Sequence, residues 1–357
     1  MPAAHLPTIP YSLTREGVVM TPSGGPMEAE GVLNPAIVLD PEDGLVLLPR
    51  LVAAHNISRI GRARLVVTDG IPTGVERQGI ALSADRGWEH GTRHGGVEDP
   101  RNTWVEELGL NVLSYVAFGP TGPRPALAVS RDGRSWRRLG PVLFGYEDDL
   151  DTDLNLFPNK DVVILPEPVR GPDGRASIAM LHRPMWDLSF VRPHDRPPMP
   201  MGLADERPGI WISYAPLDEV RRDIRTLVRM SGHRSVALPR YPWEESKIGA
   251  GPAPVRTEEG WLLIHHGVAG EIRGSAFTPQ KSVRYAAGAM VLDGDDPSTV
   301  LARTSEPLLE PEVAEETTGT VSNVVFPTAI AAIDGVDHVF YGMADTAIGV
   351  ARLDRVP

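Results

Sequence analysis

The segment VLSYVAFGPTGPRPALAVSRDG, residues 112–133, holds two short apolar runs that are separated by Gly and Pro and closed by Asp132-Gly133. Runs of this length that end at turn-forming residues indicate two β-strands rather than a helix. Related first strands are IWISY at 210–214, LLIHHG at 262–267 and VFYGMAD at 339–345, and related second halves are LVVTDG at 65–70 and AMVLDGDDP at 289–297. The segment therefore predicts a repeated pair of antiparallel strands.

Strand-length apolar runs continue along the whole chain. They cover residues 45–48, 64–67, 112–118, 126–130, 162–165, 177–181, 209–214, 261–265, 285–292, 324–330 and 339–343. Glycine (36) and proline (35) are spread between these runs and make up about a fifth of the 357 residues, which favours many short strands over long helices. We predict an all-β fold.

The strand pairs recur at spacings of roughly fifty to seventy residues, which suggests the blades of a β-propeller around a central channel. Five blades would fit the length. A large sandwich of two sheets satisfies the same local pattern. No break in composition marks a second domain, so we expect residues 1–357 to form a single domain.

Composition excludes several classes of protein. The chain has 35 basic and 47 acidic side chains, a formal net charge of −12, which argues against nonspecific binding to nucleic acid. It has no cysteine, and so neither disulfides nor thiolate chemistry. The amino terminus does not resemble a signal peptide, and no window is apolar enough for a membrane helix. We expect a soluble, cytoplasmic protein that has no membrane partner.

The densest polar group in the first half is GGVEDPR at 95–101. Two glycines introduce a pair of carboxylates beside Arg101, whose guanidinium could fix the orientation of an acid. Asp99 precedes a proline, which favours an extended backbone at Asp99. The simpler interpretation of this segment is a solvated turn with a surface ion pair.

A second group surrounds the predicted strands 162–165 and 177–181, which a turn at 171–174 would join as a hairpin. Such a hairpin brings Lys160 and Arg183 to the same end of a sheet, where two cations would repel each other unless they shared an anion such as phosphate. Alternatively, each pairs with its own carboxylate, Asp161 or Glu167.

A third group consists of KIGAGP at 247–252 and WLLIHHG at 261–267. The GxG pattern alone is a weak signal for a phosphate loop. Neighbouring residues on a strand point to opposite faces, so only one of His265 and His266 can enter a given site. No carboxylate or third imidazole stands nearby at metal-ligand spacing, so we expect no metal site.

Taken in order, these segments resemble glycoside hydrolase family 130, the inverting β-mannoside phosphorylases and related β-mannosidases. The matching pieces are NPA at 34–36, NISRIGRARL at 56–65, GVEDPR at 96–101, ALAVSRDGRSW at 126–136, NKDVVILPEPV at 159–169, AMLHRP at 179–184, KIGAGPAPVRTEEGWLLIHHGV at 247–268, YAAGAMVLDGDDP at 285–297, SNVVFPTAI at 322–330 and FYGMADTAIGVARL at 340–353. The resemblance implies a five-bladed β-propeller whose active site lies at the mouth of the central channel.

The resemblance also implies a role for each matching residue. Asp99 would be the proton donor, acting through a hydroxyl of the mannosyl unit. The phosphate-binding positions would be Lys160, Arg183, Lys247, His266 and Tyr285. The substrate-binding positions would be Arg101, Asp161 and Asp345, with Asn56, Ser58 and Arg62 lining the same cavity.

These positions favour phosphorolysis, because an inverting hydrolase needs a second carboxylate as base whereas phosphate needs cations to hold it in line. The expected reaction is the inverting cleavage of short β-mannosides by inorganic phosphate to α-mannose 1-phosphate, without a metal or organic cofactor. A β-mannosidase with Glu167 as base and a non-catalytic carbohydrate-binding propeller are the alternatives. The acidic run at 145–158 is either a solvated loop or part of the acceptor subsite. By the same resemblance the enzyme could form homo-oligomers.

Overall fold

The structure is a computed structural model that describes residues 9–91, 94–186, 199–270 and 282–356. Within these ranges the chain forms 23 strands and two short helices, α1 (Leu217–Arg222) and α2 (Ala314–Thr317). All eleven apolar runs lie in strands or overlap them, which confirms the all-β prediction. No helix in the described ranges has the length and apolar content needed to cross a membrane.

The largest sheet has the order β2-β3-β4-β6-β7-β8-β9, with β5 paired to β4. Its strands are β2 (Gly31–Asp40), β3 (Gly44–Ala53), β4 (Ile57–Thr68), β5 (Ile71–Leu82), β6 (Gly95–Val105), β7 (Leu110–Gly119), β8 (Gly122–Ser130) and β9 (Arg137–Pro141). Between β4 and β6 the pairing is parallel and spans two residue pairs, whereas every other pairing in this sheet is antiparallel. The halves β2–β5 and β6–β9 are therefore joined by a short contact.

Three further sheets follow along the chain. The second contains β10 (Leu143–Phe144), β11 (Asn159–Ile164), β12 (Val169–Arg170), β13 (Ala176–Pro184), β14 (Ile210–Pro216) and β15 (Arg229–Ala237). The third contains β16 (Lys247–Ala250), β17 (Val255–Thr257), β18 (Gly260–Ala269), β19 (Arg284–Leu292) and β20 (Val300–Arg303). The fourth contains β1 (Tyr11–Met20), β21 (Val325–Ile333), β22 (Val336–Met343) and β23 (Ala347–Arg355). The first strand of the chain thus pairs with the last.

The core consists of apolar clusters between neighbouring groups of strands. One cluster joins β2 and β3 to β7 and β8, and the next joins β7 and β8 to β11 and β13. The following clusters join β13 and β14 to β18 and β19, and then β18 and β19 to β22 and β23. A fifth joins β22 and β23 back to β2 and β3. In the described chain, burial of apolar surface therefore links each strand group to the next and the last to the first.

A buried glutamate recurs in the segments that precede the strands β2, β6, β16 and β21. Each accepts hydrogen bonds from backbone N–H groups at its own turn and binds an arginine from a strand at the outer edge of the same group. We call this arrangement the Glu–Arg clamp. The four pairs are Glu28 with Arg77, Glu89 with Arg138, Glu244 with Arg303 and Glu316 with Arg15.

Candidate active site

Three neighbouring strands, β2, β6 and β11, each carry a residue with a left-handed backbone conformation at a β-bulge. Asn34 on β2 has φ 43°, Asp99 on β6 has φ 46° and Asp161 on β11 has φ 54°, and each lies where the pairing register shifts. The expectation of an extended backbone at Asp99 was therefore wrong. The bulge overrides the preference of a residue before proline and turns the side chain out of the regular alternation of the strand.

Asp99 lies in a buried polar pocket and not on a surface turn. Its Oδ1 accepts hydrogen bonds from Asn34 Nδ2 at 2.8 Å and from Arg50 Nη1 at 3.0 Å. Arg50 also contacts Glu98 at 2.9 Å, Ser58 Oγ at 2.9 Å and the Asn56 side-chain oxygen at 2.9 Å. A single guanidinium thus organises this half of the site.

Arg50 was missed by the sequence analysis. The available signal was an arginine that ends the apolar run LVLLPR at 45–50, a position where a buried cation needs partners. Asn56 and Ser58, expected to line the cavity, reach the site through Arg50.

Asp161 gathers the second half of the site. Its Oδ2 lies 2.5 Å from Arg183 Nε and 3.4 Å from His266 Nε2, and its Oδ1 lies 3.5 Å from Arg101 Nη2. Burial raises the pKa of Asp161, but Arg183, His266 and Arg101 outweigh burial and hold that pKa well below its usual range. Burial also lowers the pKa of His266 to about 4, so its ring is neutral near pH 7. Asp161 therefore positions basic groups and is itself saturated by protein partners.

Arg101 is almost fully buried, and its contacts are with protein. It donates to the backbone oxygens of Gly251 at 2.8 Å, Ala250 at 3.0 Å and Asp99 at 3.2 Å. These bonds tie β6 to the end of β16. The expected contact of Arg101 with sugar stays a prediction.

Gly249 allows the two sides of the site to meet. A side-chain carbon at this position would overlap the Asp161 carboxylate and the ring of His266. The glycine pattern at 249–251 therefore serves close approach of side chains and acceptance of hydrogen bonds from Arg101. His265 points the other way, with Nε2 2.9 Å from Glu244, so the prediction that only one of the two histidines enters the site is confirmed.

Lys160 and Arg183 are paired residues on β11 and β13, so the prediction that the hairpin brings them to one end of the sheet is confirmed. Each has its own carboxylate partner: Lys160 Nζ lies 3.4 Å from Glu98, and Arg183 binds Asp161. The partner of Lys160 is Glu98, where Asp161 or Glu167 was expected.

Lys247 and Tyr285 are half-buried and lie together, with the lysine ammonium 5.6 Å from the centre of the tyrosine ring. Burial and the nearby cations Arg183 and Lys160 lower the pKa of Lys247 to about 7. Burial raises the pKa of Tyr285 above its ordinary value, so its hydroxyl keeps its proton. A bound anion would raise the pKa of Lys247, so that its ammonium group would be fully charged.

Asp345 has a left-handed backbone, φ 51°, at the end of β22. Burial raises its pKa to about 6, the neighbouring Asp99 and Glu98 add to the shift, and Arg50 and Lys160 oppose it. Asp345, which the sequence predicted to bind the mannosyl unit, therefore lies within electrostatic range of Asp99, the predicted proton donor.

Two predicted residues lie outside this cluster. Arg62 lies four residues beyond Ser58 on β4, and its guanidinium binds Asp40 at 2.5 Å, Asp43 at 3.1 Å and the Gly133 oxygen at 2.8 Å. Arg62 is therefore corrected to a residue that joins β4 to neighbouring loops. Glu167 is exposed beyond the far end of β11.

The acidic run at 145–158 is used by the fold at two positions. Glu147 accepts hydrogen bonds from the backbone of Gly232 and His233, and Asp153 accepts from Asn155. Asp148, Asp149 and Asp151 are exposed, which agrees with the solvated-loop interpretation.

We call the charged side chains of this site, with His266 and Tyr285, the polar cluster. Its cations are Arg50, Arg101, Lys160, Arg183 and Lys247, and its carboxylates are Glu98, Asp99, Asp161 and Asp345. Five cations face four carboxylates in a chain whose formal net charge is −12, and because the pKa of Lys247 is about 7, the full positive balance is reached when Lys247 takes up a proton. Such a site attracts a small anion.

Known proteins resemble this chain over most of its length. A family model described as beta-1,4-mannooligosaccharide phosphorylase, that of glycoside hydrolase family 130, matches residues 11–356. The 1,2-beta-oligomannan phosphorylase of Thermoanaerobacter sp. (strain X514) is 32% identical over 263 residues, which cover 72% of this chain and 68% of the relative. The Beta-1,4-mannooligosaccharide phosphorylase of Ruminococcus albus is 36% identical over 166 residues, 46% of this chain and 43% of the relative.

The fold is also that of a solved structure. Beta-1,2-mannobiose phosphorylase from Listeria innocua, in complex with beta-1,2-mannobiose, superposes with a TM-score of 0.69 over 96% of both chains at 22% identity. The family model spans nearly all of the described residues and includes every member of the polar cluster. The chain therefore belongs to glycoside hydrolase family 130, the family of the mannoside phosphorylases, and is a carbohydrate-active enzyme.

Proposed function

We propose that the enzyme cleaves short β-mannosides with inorganic phosphate and releases α-mannose 1-phosphate with inversion at the anomeric carbon. The observation that carries this proposal is the set of basic groups around Asp161: Arg183 binds its carboxylate, His266 lies 3.4 Å from it, and Lys247 lies within electrostatic range of Asp161, Arg183 and Lys160. Phosphate is already anionic and needs cations that hold it in line with the bond to be broken.

The second proposal concerns architecture: a five-bladed β-propeller with the polar cluster at the mouth of its channel. Three observations support it. The apolar clusters link five strand groups in a closed order. The Glu–Arg clamp recurs before four of the strands β2, β6, β11, β16 and β21. The site residues Asn34, Asp99, Asp161 and Gly249 lie on the first four of these strands, and Phe326, whose ring centroid is 4.3 Å from that of His266, lies on the fifth.

In this proposal Asp99 supplies the proton that the leaving oxygen needs, through a mannosyl hydroxyl. Burial raises the pKa of Asp99, but Arg50 and Lys160 outweigh burial and hold it below its usual range. A bound sugar that takes over hydrogen bonds of Arg50 would weaken this effect and favour the protonated acid. Phosphate on Lys247 and Arg183 would approach from the Asp161 side.

The alternatives differ in what they require of the same residues. A non-catalytic binding protein predicts Asp99 on an exposed rim, whereas Asp99 is only 7% exposed. A mannosidase needs a carboxylate free to activate water, and Glu167 lies at the wrong end of β11 while Glu98 is held by Arg50 and Lys160.

The test is to incubate the purified protein with β-1,2-, β-1,3- and β-1,4-mannobiose, with and without phosphate, and to assay mannose and mannose 1-phosphate. We expect phosphate-dependent mannose 1-phosphate from at least one substrate, the α-anomer by NMR, and no effect of EDTA. Free mannose formed at the same rate without phosphate would establish a hydrolase and refute the proposal.

A further inference from the structure

A chain of buried hydrogen bonds crosses the second sheet and ends beside the polar cluster. Asn159 Nδ2 lies 2.9 Å from His182 Nδ1, and His182 Nε2 lies 2.8 Å from Ser213 Oγ. Ser213 Oγ lies 2.7 Å from His233 Nδ1, and His233 Nε2 lies 2.9 Å from the Gly145 oxygen. His182 and Ser213 are completely buried.

The carbonyl at one end fixes the direction of every bond in the chain. A carbonyl oxygen only accepts, so His233 carries its proton on Nε2 and uses Nδ1 to accept from the Ser213 hydroxyl. Ser213 then accepts from His182 Nε2, and His182 Nδ1 accepts from the Asn159 amide. Burial lowers the pKa of His182 well below its ordinary value and also lowers that of His233, which keeps both rings neutral as this order requires.

The chain occupies the place that the Glu–Arg clamp has in the other strand groups. Where an outer strand elsewhere provides an arginine, β15 provides His233, and the glutamate of the preceding segment, Glu147, accepts its backbone N–H at 3.1 Å. Phe144 covers both imidazole rings, with centroids at 4.8 Å from His182 and 5.5 Å from His233. Unlike the clamps, this chain runs on to a residue next to the polar cluster.

That residue begins the segment with the basic groups of the site. Asn159 directly precedes Lys160 and Asp161, and Asp161 holds Arg183 and His266. The strand pairing is regular at Asn159 and Lys160 and then shifts at the bulge that contains Asp161. The hydrogen bond of the Asn159 side chain therefore restrains β11 directly before the point where its backbone pairing with β13 is interrupted.

We propose that Ser213, His182 and His233 are positioning residues for the phosphate site, acting through the Asn159 side chain on Lys160 and Asp161. This inference rests on the proposed phosphorolysis. It requires that breaking the chain at its middle displace the basic groups and weaken phosphate binding, while the mannoside side around Asn34, Arg50 and Asp99 stays in place.

The test compares Ser213→Ala with Tyr115→Phe in the full-length protein. Tyr115 is a matched control, because its buried hydroxyl donates to Glu89 of a Glu–Arg clamp at 2.8 Å away from the polar cluster. Loss of buried hydrogen bonds, two at Ser213 and one at Tyr115, should lower the melting temperature of both variants. We expect Ser213→Ala alone to raise KM for phosphate, by about five-fold for the weakened positioning of Asn159, with KM for the mannoside unchanged.

A second pair of variants separates positioning from folding. Glutamine at 233 can accept from Ser213 and donate to the Gly145 oxygen, whereas leucine can do neither. His233→Gln should keep KM for phosphate within two-fold of the wild type, and His233→Leu should raise it as Ser213→Ala does.

Each outcome has a distinct meaning. Wild-type turnover that ignores phosphate would overturn the proposed function and this inference with it. Phosphate-dependent wild-type turnover with unchanged KM for phosphate in Ser213→Ala or in His233→Leu would overturn the inference alone. Equal increases in Ser213→Ala and Tyr115→Phe would also overturn it, since they would reflect general loss of stability.

Discussion

Asp99 must carry a proton to act as the proposed acid, whereas its surroundings favour the ionised carboxylate. Arg50 and Asn34 both donate to the same carboxylate oxygen, and Lys160 adds positive charge nearby. The arrangement suits an acid that is inactive until a ligand redistributes the hydrogen bonds of Arg50. Before a ligand binds, Asp99 would therefore be ionised and would have no proton to donate in a reaction with water.

Asp99→Asn tests the role of this acid directly. Asparagine keeps the size of the side chain and an oxygen that accepts from Arg50 and Asn34, so folding and mannoside binding should be nearly unchanged. The proton donor is lost, and we expect kcat at saturating phosphate to fall by about 10² to 10⁴. Steady-state rates with binding by calorimetry check both parts; kcat within ten-fold of the wild type would remove Asp99 from the mechanism.

Asp345 should make the folded state less stable as the pH rises. Its pKa is raised to about 6, from 3.8 for an unperturbed carboxyl, so between these values the folded protein binds more protons than the unfolded chain. The free energy of unfolding therefore decreases as the pH rises from 4 to 7, by about 2 kcal/mol from this group. Asn at 345 does not ionise and avoids the loss.

The measurement is urea unfolding of the wild type and Asp345→Asn at several pH values. We expect the variant to gain about 2 kcal/mol relative to the wild type between pH 4 and pH 7. A stability difference that does not change with pH would mean that Asp345 ionises as an ordinary surface carboxyl does.

At the scale of elements, three of the strands that carry the site, β2, β6 and β16, were not predicted as strands. The runs in β7, β8, β13 and β18 are apolar and were predicted. In β2, β6 and β16 the functional residues interrupt the pattern: a proline follows Asn34 and Asp99, and β16 is four residues long with a glycine at its centre. The resemblance to a family supplied Asp99, Arg183 and His266, but contacts over long sequence separations decided that Arg50 belongs to the site and Arg62 does not.

Gly249 on β16 is the element-scale test of how closely the site is packed. Alanine there would push against the Asp161 carboxylate and His266, so we expect Gly249→Ala to raise KM for phosphate and to lower the melting temperature. Gly74→Ala on β5 is the matched control, because its side-chain carbon would meet no atom within 4 Å. Similar kinetics for both variants would show that Asp161 and His266 can move apart without cost.

At the scale of the molecule, the chain ends are brought together by β1. It pairs with β23, its Leu13 packs in the cluster shared with β18 and β19, and its Arg15 reaches Glu316 before β21. The repeated strand pairs were predicted from the sequence, but the pairing of β1 with β23 was not. The residues of β1 are polar and do not alternate, so they carry no strand signal. Its partners lie about 300 residues away, so these contacts join the two ends of the chain.

Arg15→Met should therefore weaken the whole molecule rather than one strand. Glu316 is completely buried and accepts from Arg15 at 2.9 and 3.0 Å, so losing the guanidinium leaves a buried carboxylate with Tyr341 and backbone donors alone. Breaking a buried pair in this way costs about 3 kcal/mol, which corresponds to about 4 °C in melting temperature for a chain of this size.

Arg352→Met is the control for that experiment, because Arg352 on the neighbouring β23 pairs with Asp354 in a half-exposed contact of the kind that contributes little to stability. Scanning calorimetry should show a lower melting temperature for Arg15→Met in a single transition, and little change for Arg352→Met. If β1 merely detached, a separate early transition would appear while the main one stayed in place. Equal melting temperatures for the two variants would mean that the buried pair does not hold β1 to the rest of the chain, and that β23 pairing and the apolar cluster suffice.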